Sequence, residues 1–375
     1  MASRAFLKAF SRAFNAELDL VCSDGTTLSY ESFLKTADDM PGSRVLFVPE
    51  RTKIEKLLSV FTGQMNRYSG FVKKLLHDNH HDYTHVVFDH NGIAGCLVNF
   101  AKAYHLDVIT IHHNVETEYY RDNATFFENL LFLHHVRRNE RRAYKKSDYN
   151  LYLTRQDLNT FKCRYGSTSA INDVLGVVEF KKIKEINSIN LSSPVPTFAI
   201  TGTLCTRQGV DGILYFFREL YKFLPQPCKI IVAGSSPAQE VVRACKQHEN
   251  VELIANPDDM NAVLCSADAY ICPTRLGGGL KLRVMDGLRL GLPVLTHSCS
   301  ARGYDLFSDS GYFLVFENPK EFKTQIELLY RIISQKDFKK ECVWDKYCSI
   351  FSFEAGLNRL TDILQISATG TADPI

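Results

Sequence analysis

The segment Ser266–Asp305, SADAYICPTRLGGGLKLRVMDGLRLGLPVLTHSCSARGYD, determines how the rest of the chain is interpreted. An apolar run, AYIC, enters a loop with three glycines in succession, and a helical pattern follows from about Leu280. Gly291 and Pro293 then lead into a second apolar run. A strand, a glycine loop, a helix and another strand in this order predict a βαβ unit within a parallel sheet.

The glycine loop and the helix after it favour the binding of an anion. The three glycines are Gly277, Gly278 and Gly279. Without side chains they let backbone N–H groups approach a ligand, and a helix N-terminus adds partial positive charge. Lys281 and Arg283 are predicted in the first helical turn, where cations are unfavourable unless an anion such as a diphosphate is bound. Asp286 is suited to accept hydrogen bonds from ribose hydroxyls. The alternative is a glycine-rich turn with a solvated helix start.

Strand-like and helix-like segments alternate along nearly the whole chain. The strands predicted in the first half are Leu18–Cys22, Arg44–Val48, His85–Asp89, Val108–His112 and Tyr149–Thr154. Those predicted in the second half are Thr197–Gly202, Lys229–Gly234, Val251–Ala255, Ala269–Cys272, Pro293–His297 and Tyr312–Phe316. Helical segments such as Ile54–Leu76, Ile93–His105 and Glu128–Lys146 separate the strands of the first half. The alternation predicts an α/β protein of two Rossmann-like domains with mainly parallel sheets.

A polar segment divides the two halves. Lys181–Pro196, KKIKEINSINLSSPVP, is rich in serine and ends with two prolines. The predicted domains are residues 1–185, residues 186–348, and a terminal helical region over 349–375. The chain begins with a helix, Ser3–Ala13, where a doubly wound domain begins with a strand. Two explanations stay open: the first strand is absent, or the helix lies on a rearranged sheet.

Composition excludes several classes of protein. The chain has 375 residues, of which 45% are hydrophobic and 23% charged, as in globular proteins. With 44 basic and 42 acidic side chains the net charge is +2, so duplex nucleic acid is not expected as the main partner. Eleven cysteines without a C-x-x-C pair are typical of reduced, mostly buried thiols in the cytosol. No run is long enough to cross a membrane. The expected location is cytoplasmic.

The pattern P-x-x-x-GGG-x-K-x-R-x-x-D-G-L-x-x-G-x-P-V resembles the donor-site signature of retaining GT-B glycosyltransferases, in particular glycosyltransferase family four, the glycosyl transferases group one. Three upstream segments are similar to that family's donor domain in order and spacing. They are Thr197–Phe217, Lys229–Pro237 and Val251–Pro273. The resemblance implies two Rossmann-like domains facing across a cleft, with a nucleotide-sugar donor held by the C-terminal domain and the acceptor mainly by the N-terminal one. It also implies that the terminal helix, Ser349–Leu364, crosses back to the N-terminal domain.

The resemblance also implies roles for individual residues. Gly202 and Thr203 would lie against the diphosphate or the sugar, and Ile254 to Asn256 would border the base. Arg207 and Lys281 would neutralise the leaving nucleoside diphosphate as the glycosidic bond breaks. The other residues implied at the donor are Gly277, Gly278, Gly279, Leu280, Arg283 and Asp286. UDP is the preferred nucleotide because uridine is the commonest base in such families, and no metal is expected. For Arg207, an exposed loop arginine without a role is the alternative.

The chain departs from the family at one position. The family has two glutamates eight residues apart in the donor loop and helix. Here the second is Asp286, which keeps a carboxylate, and the first is Gly278, which has no side chain. Contacts to the transferred sugar are therefore expected to involve backbone N–H groups of the glycine loop.

The first half resembles the family more loosely. Val108–Glu116, VITIHHNVE, is similar to an HN-V/I-E segment whose histidine contacts the donor sugar, which makes His113 the candidate sugar ligand. Turn chemistry is the alternative for this His-Asn pair. Asp89 also ends a strand and is a candidate to face the acceptor. Glu116 is interpreted as a turn cap and Glu140 as a structural residue.

A basic segment suggests a membrane contact. Arg137–Lys146, RRNERRAYKK, has six cations in ten residues and follows an apolar stretch that begins at Phe126. One interpretation is attraction to anionic headgroups, which would bring the enzyme to a lipid-linked acceptor at the inner face of the membrane. The alternative is a solvated helix face whose preceding apolar residues pack in the core.

These observations favour a glycosyltransferase that moves a sugar from a nucleoside-diphosphate sugar to a glycan or lipid-linked acceptor with retention. A catalytically degenerate nucleotide-binding or scaffold protein on the same fold is the alternative. A nicotinamide dehydrogenase predicts an early G-x-G-x-x-G, which is missing. A glycosidase needs two facing carboxylates, to which no feature of the sequence points.

Overall fold

The computed structural model describes residues 2–23, 40–50, 52, 54–55, 66–178, 195–334 and 338–365. The chain divides into two compact units. Unit 1 comprises Met1–Lys181 together with Phe351–Ile375, and unit 2 comprises Lys182–Ile350. The predicted domain boundary between residues 185 and 186 falls in residues 179–194, which lie outside the described residues.

Unit 1 contains two parallel sheets. The first pairs β1 with β2, and the second has the order β3-β4-β5-β6. The strands are β1 (Asp19–Ser23), β2 (Arg44–Val48), β3 (His85–Phe88), β4 (Asp107–His112), β5 (Tyr149–Tyr152) and β6 (Ile171–Val174). The five strands predicted from the first half are confirmed. The strand β6 is not among the predicted ones, because INDV carries two polar residues and has no apolar run.

Helices of unit 1 separate these strands and cover them. They are α1 (Ala2–Phe14), α2 (Tyr68–Asn79), α3 (Asn91–Ala103), α4 (Glu116–Asn123), α5 (Phe126–Lys146) and α6 (Arg155–Tyr165). The prediction of one helix over Ile54–Leu76 is wrong at residues 66–67, and residues 56–65 lie outside the described part. The Asn66 carboxamide oxygen accepts the N–H groups of Tyr68 and Ser69 at 3.0 Å each, which satisfies two N–H groups at the start of α2.

The core of unit 1 depends on close packing between α3 and α5. A side chain at Gly95 would clash with the backbone of Asn139, so only glycine allows this approach. Arg142 donates to the Gly95 carbonyl at 3.0 Å. Arg142, one of the six cations of the predicted basic segment, therefore forms a hydrogen bond within unit 1. The helix packing places the carboxyl ends of β3 and β4 beside the N-termini of α3 and α4.

A helix that follows unit 2 in sequence completes unit 1. This helix, α13 (Phe353–Leu364), packs against α1. Its Arg359 donates to the carbonyls of Leu175 and Val177 at 2.9 and 3.2 Å. A side chain at Gly356 would clash with Val178, so the helix backbone lies directly on that segment.

Unit 2 has one six-stranded parallel sheet with the order β12-β11-β10-β7-β8-β9. Its strands are β7 (Thr197–Thr203), β8 (Lys229–Ser235), β9 (Val251–Ala255), β10 (Ala269–Cys272), β11 (Val294–His297) and β12 (Phe313–Phe316). Its helices are α7 (Arg207–Tyr215), α8 (Gln239–Lys246), α9 (Met260–Cys265), α10 (Leu282–Arg289), α11 (Pro319–Ser334) and α12 (Lys340–Phe351). All six strands predicted in the second half are confirmed, as is the α/β fold with parallel sheets in two units.

The strand order of unit 2 places a reversal at β7. The chain runs from β7 outward to β8 and β9, and then returns to the other side of β7 as β10. The connections that follow β7 and β10 lead to opposite sides at this point, and such a reversal leaves a crevice outside the carboxyl ends of the strands. Open α/β sheets bind ligands in such a crevice.

The eleven cysteines are free thiols, as expected for a chain without a C-x-x-C pair. The expectation that most are buried is wrong, because only four are. Those four are Cys22, Cys228, Cys245 and Cys272. Helices α6 and α12 place Cys163 and Cys342 on their solvent-facing sides.

Candidate functional site

The candidate site of unit 2 lies where β7 and β10 end. Gly202 is the penultimate residue of β7, and Thr274 follows β10. Between them lies Arg283, which donates from Nη1 to Thr274 Oγ1 at 3.0 Å. A Cβ at Gly202 would lie 2.8 Å from the same Nη1. Glycine at this strand end therefore makes room for a guanidinium in the crevice.

The glycine loop needs glycine at two of its three positions. Gly277 and Gly279 have φ angles of +87° and +69°, which L side chains rarely adopt. A Cβ at Gly277 would also clash with Gln208 Nε2 and lie 3.0 Å from Lys281 Nζ. Gly278 differs, because a Cβ there would meet no atom within 4 Å. Packing therefore does not explain why this position lacks the family's glutamate.

Lys281 is the most buried cation of the site. Its side chain is buried, and Nζ donates to the Gly278 carbonyl at 2.9 Å. The Lys281 carbonyl accepts from the hydroxyl of Tyr304 at 2.8 Å, which fixes the backbone at this point. Burial lowers the pKa of Lys281, because the charged ammonium loses hydration.

The helix after the loop begins at Leu282, so Lys281 precedes its first turn. Lys281 has an extended backbone, with φ −90° and ψ +93°, and occupies the N-cap position of α10. Arg283 is then the second residue of the helix. Within the described residues, neither of the two cations forms an ion pair with a carboxylate. Two cations at a helix N-terminus without a counter-ion produce a strong preference for an anion.

Thr203 and Arg207 lie at the other wall of the crevice. The loop between them is ordered by Thr206, whose hydroxyl donates to the Thr203 carbonyl at 3.0 Å and accepts from Gly209 N at 3.2 Å. Arg207 is the first residue of α7 and is exposed. Its neighbour Gln208 faces the glycine loop, although the sequence analysis did not select it.

The predicted base-contacting residues lie at the end of the edge strand β9. Asn256 has φ +50° and accepts the N–H of Ser236 on its side-chain oxygen at 2.7 Å. Its own N–H donates to the Gly234 carbonyl at 2.8 Å. Ile254 is half-buried in β9. The predicted residues are thus distributed over the ends of β7, β8, β9 and β10 along one edge of the sheet.

Leu280 and Asp286 flank the cations of α10. Leu280 is half-buried at the end of the glycine loop. The Asp286 carboxylate accepts from Arg289 at 3.0 Å, one turn further along the helix. Arg289 is itself buried and also donates to Asn261 at 2.9 Å. One oxygen of Asp286 is therefore engaged within the helix.

A second polar cluster lies in unit 1, at the carboxyl ends of β3 and β4. His113 Nε2 lies 2.7 Å from an oxygen of Asp89, and His90 Nε2 lies 3.1 Å from an oxygen of Glu116. The two imidazole rings are 6.3 Å apart. Asp89 and His113 were selected from the sequence, whereas His90 was not, because its pairing depends on where α4 begins.

The surroundings of His90 raise the pKa of its imidazole. Burial disfavours the charged imidazole, but the hydrogen bond and charge of Glu116 raise the pKa of His90. Gly92 donates its N–H to His90 Nδ1 at 3.2 Å, which caps α3 and requires that nitrogen to be unprotonated. His90 therefore donates to Glu116 from Nε2 while the cap is intact. Glu116 forms this contact in addition to beginning α4.

Glu140 is buried and structural, as interpreted from the sequence. Its carboxylate accepts the backbone N–H and the hydroxyl of Thr117 at 2.9 and 2.8 Å, and the hydroxyl of Tyr165. Burial raises the pKa of Glu140, and these hydrogen bonds act in the opposite direction. The carboxylate connects α5 to α4 and has no free oxygen for a substrate.

The described residues contain no group of three or more histidine, cysteine, aspartate or glutamate side chains arranged to hold a metal ion. No helix in this part of the chain is long and apolar enough to cross a membrane.

Comparison with known proteins identifies the domain type of unit 2. Residues 195–331 match the family model described as Glycosyl transferases group 1. The match spans β7 to α11 and includes every residue predicted to bind the donor except His113. It indicates a nucleotide-sugar-dependent glycosyltransferase. No match is found among curated proteins.

Solved structures show the same fold over nearly the whole chain. A glycosyltransferase from Rickettsia africae ESF-5 has a TM-score of 0.70 at 11% identity, covering 98% of this chain and 95% of that one. HepE from Anabaena, solved with UDP, has a TM-score of 0.67 at 10% identity, covering 97% and 96%. WaaG, involved in lipopolysaccharide biosynthesis, has a TM-score of 0.63 at 16% identity, covering 98% and 96%. The fold is therefore that of GT-B glycosyltransferases.

Proposed function

We propose that this protein transfers a sugar from a nucleoside-diphosphate sugar, preferably a UDP-sugar, to a glycan or lipid-linked acceptor of the cell envelope, with retention of configuration. The observation that carries the proposal is the pair of cations at the start of α10. Lys281 and Arg283 lie in the crevice beside β7, and within the described residues no carboxylate pairs with them. A diphosphate would supply the missing negative charge.

The same arrangement suits the chemistry of transfer. Negative charge grows on the leaving nucleoside diphosphate as the glycosidic bond breaks. Cations held in place beside the diphosphate stabilise that charge more strongly than they stabilise the ground state. Lys281 is fixed by Gly278 and Tyr304, so it needs little reorganisation during the reaction. Arg207, exposed at the start of α7, is proposed as the second cation of the leaving group.

Similar proteins support the donor and acceptor classes. HepE from Anabaena was solved with UDP, with UDP and glucose, and with UDP-glucose. WaaB is described as a lipopolysaccharide outer core galactosyltransferase. We expect His113 to contact the transferred sugar, Ile254 and Asn256 to border the base, and the reaction to need no metal ion. A lipid-linked acceptor would place the enzyme at the inner face of the membrane.

The first experiment measures thermal stability with UDP, GDP, ADP or NAD at millimolar concentration. A ligand that binds the folded state raises the melting temperature by mass action. We expect a shift with UDP that is lost in Lys281→Ala and retained in Lys323→Ala, which removes an exposed lysine from α11. A shift with NAD alone would contradict the proposal.

The second experiment measures transfer from UDP-sugars. We expect Lys281→Ala to lower turnover at least about tenfold, which corresponds to about 1.4 kcal/mol of transition-state stabilisation. Turnover should persist in EDTA, and NMR of the product should show a retained anomeric configuration. Wild-type turnover in Lys281→Ala would refute its role. UDP binding without transfer to any envelope acceptor would instead favour a catalytically inactive nucleotide-binding protein.

A further inference from the structure

One face of α5 in unit 1 exposes large apolar side chains to solvent. Phe126, Phe127, Leu130 and Leu131 have exposed fractions of 78%, 73%, 69% and 47%. The alternative that these four pack in the core is therefore wrong. Four exposed apolar side chains within two turns of one helix form a continuous patch, which soluble surfaces rarely carry without a binding role.

The same face continues through His134 into exposed cations. These cations are Arg137, Arg138 and Arg141, and all four side chains are exposed on the following turns of α5. At 3.6 residues per turn, these residues and the four apolar ones fall within an arc of about 140°. We call this surface, which consists of Phe126, Phe127, Leu130, Leu131, His134, Arg137, Arg138 and Arg141, the α5 face. It is apolar at its N-terminal end and cationic at its C-terminal end, and it contains no carboxylate.

Two other cations of the basic segment form hydrogen bonds with backbone carbonyls of unit 1. Arg142 donates to the Gly95 carbonyl, and Lys145 donates to the carbonyl of Ser167. Glu128, the acidic residue nearest to the apolar end, points off the α5 face. Its carboxylate accepts the N–H and the hydroxyl of Thr125 at 2.8 Å each. The α5 face therefore keeps its positive charge without a neighbouring acidic partner on the same helix surface.

The apolar end of the α5 face is held in a well-formed helix. Thr125 and Glu128 form a capping box, which orders the first turn that carries the two phenylalanines. The side-chain amide of Asn129 donates to the carbonyls of Arg121 and Ala124 at 3.1 and 3.3 Å, which ties this turn to α4. The exposed rings thus project from a structured surface.

We propose that the α5 face docks the protein on the surface of an anionic lipid bilayer. The phenylalanine and leucine side chains would enter the interface between headgroups and acyl chains, and the arginines would contact lipid phosphates. Charge complementarity favours this occupant over a second copy of the chain. In a pair of identical faces the cations would meet cations or apolar side chains, because the face offers no carboxylate.

The docking surface is independent of the transfer reaction, so it is tested without donor or acceptor. The assay is flotation of the purified full chain with vesicles of phosphatidylcholine alone or with 30 mol% phosphatidylglycerol. We expect binding to the anionic vesicles, weak binding to the neutral ones, and release at 0.5 M NaCl. Equal binding to both vesicle types would overturn the role of the arginines, and absence of binding would overturn the proposal.

Two variants separate the two ends of the face. Neutralising Arg137, Arg138 and Arg141 as glutamines should weaken binding about a hundredfold, since each cation near an anionic surface contributes about fivefold. Phe126→Ser with Phe127→Ser should weaken binding at least tenfold. All five side chains are exposed, so the melting temperature should not change.

The matched control is Leu328→Ser with Tyr330→Ser on α11 of unit 2, whose exposed fractions are 41% and 40%. This variant should bind the vesicles as the wild type does. Equal loss of binding in the control would show that general surface hydrophobicity is responsible, which would overturn the assignment to α5. A dimer in light scattering that disappears with Phe126→Ser and Phe127→Ser, without vesicle binding, would assign the face to self-association.

Discussion

His112 should remain neutral far below the pH at which a histidine normally gains its proton. It ends β4 and is fully buried, with its Nε2 atom 2.9 Å from the side-chain oxygen of Asn150. The Asn150 amide nitrogen donates to the Tyr144 carbonyl and the Asn172 side chain at 2.9 and 3.2 Å. The asparagine oxygen must therefore accept, which makes His112 the Nε2–H tautomer.

A second proton on His112 would have no acceptor. Within the described residues, Nδ1 of His112 is buried without a hydrogen-bond partner. The ring stacks on Tyr152 with centroids 4.7 Å apart, and Phe161 meets it edge-on at 4.6 Å. Burial lowers the pKa of His112 to about 3, and the hydrogen bond that His112 donates to Asn150 only partly opposes this.

The stability of unit 1 should consequently fall in acid. In the unfolded chain the imidazole takes up a proton as the pH drops through 6.5, whereas in the folded chain it does so only near 3. The unfolded state then binds more protons, so stability is lost progressively between these two values. Between pH 7.5 and 4.5 the loss from this residue is about 2.6 kcal/mol of unfolding free energy.

The test compares the wild type with His112→Phe, which keeps the stacking but cannot titrate. Native-state hydrogen exchange of the β4 and β5 amides gives the opening free energy of unit 1 at pH 7.5 and 4.5. The wild type should lose about 2.6 kcal/mol more than the variant over this range, because the lost Asn150 bond affects both pH values equally. Equal losses would refute the reasoning, as would a ¹⁵N signal of His112 that titrates near pH 6.

Three further variants test other contacts. Gly202→Ala places a methyl group 2.8 Å from the guanidinium of Arg283, so the affinity for UDP, measured by calorimetry, should fall about tenfold. The control is Gly278→Ala, whose methyl group meets no atom within 4 Å and which should bind UDP as the wild type does. Glu140→Gln weakens three buried hydrogen bonds and should cost about 1–3 kcal/mol in thermal unfolding while the KM for donor stays unchanged. Asp89→Asn removes the carboxylate that lies 2.7 Å from His113 and should lower kcat, and an unchanged kcat would mean that their contact has no role in the reaction.

The parallel α/β fold was predictable because it depends on local patterns. Eleven strands are visible as apolar runs between turn residues, and the glycine loop is visible as three consecutive letters. β6 was not predictable, because Asn172 and Asp173 interrupt its apolar pattern. Its formation depends on pairing with β5 across the sheet.

The candidate site was predictable only where it is continuous in sequence. The loop residues, Lys281 and Arg283 lie within one short segment. Gln208 and Thr274 belong to the same crevice, but only the strand reversal at β7 brings them there. The pairing of His90 with Glu116 likewise depends on the end of β3 and the start of α4. No pattern along the chain encodes such contacts between distant residues.

The position of α13 has a consequence for biosynthesis. Unit 1 is interrupted by unit 2, because the hydrogen bonds of Arg359 to Leu175 and Val177 join segments that are 184 and 182 residues apart. During translation, every strand of unit 2 leaves the ribosome before this helix does. We therefore expect unit 2 to acquire its native structure first, and unit 1 to complete its folding only after α13 has been synthesised. This is the reverse of the usual order, in which the N-terminal domain folds first. A ribosome stalled before Phe353 should present a protease-resistant unit 2 beside a protease-sensitive unit 1.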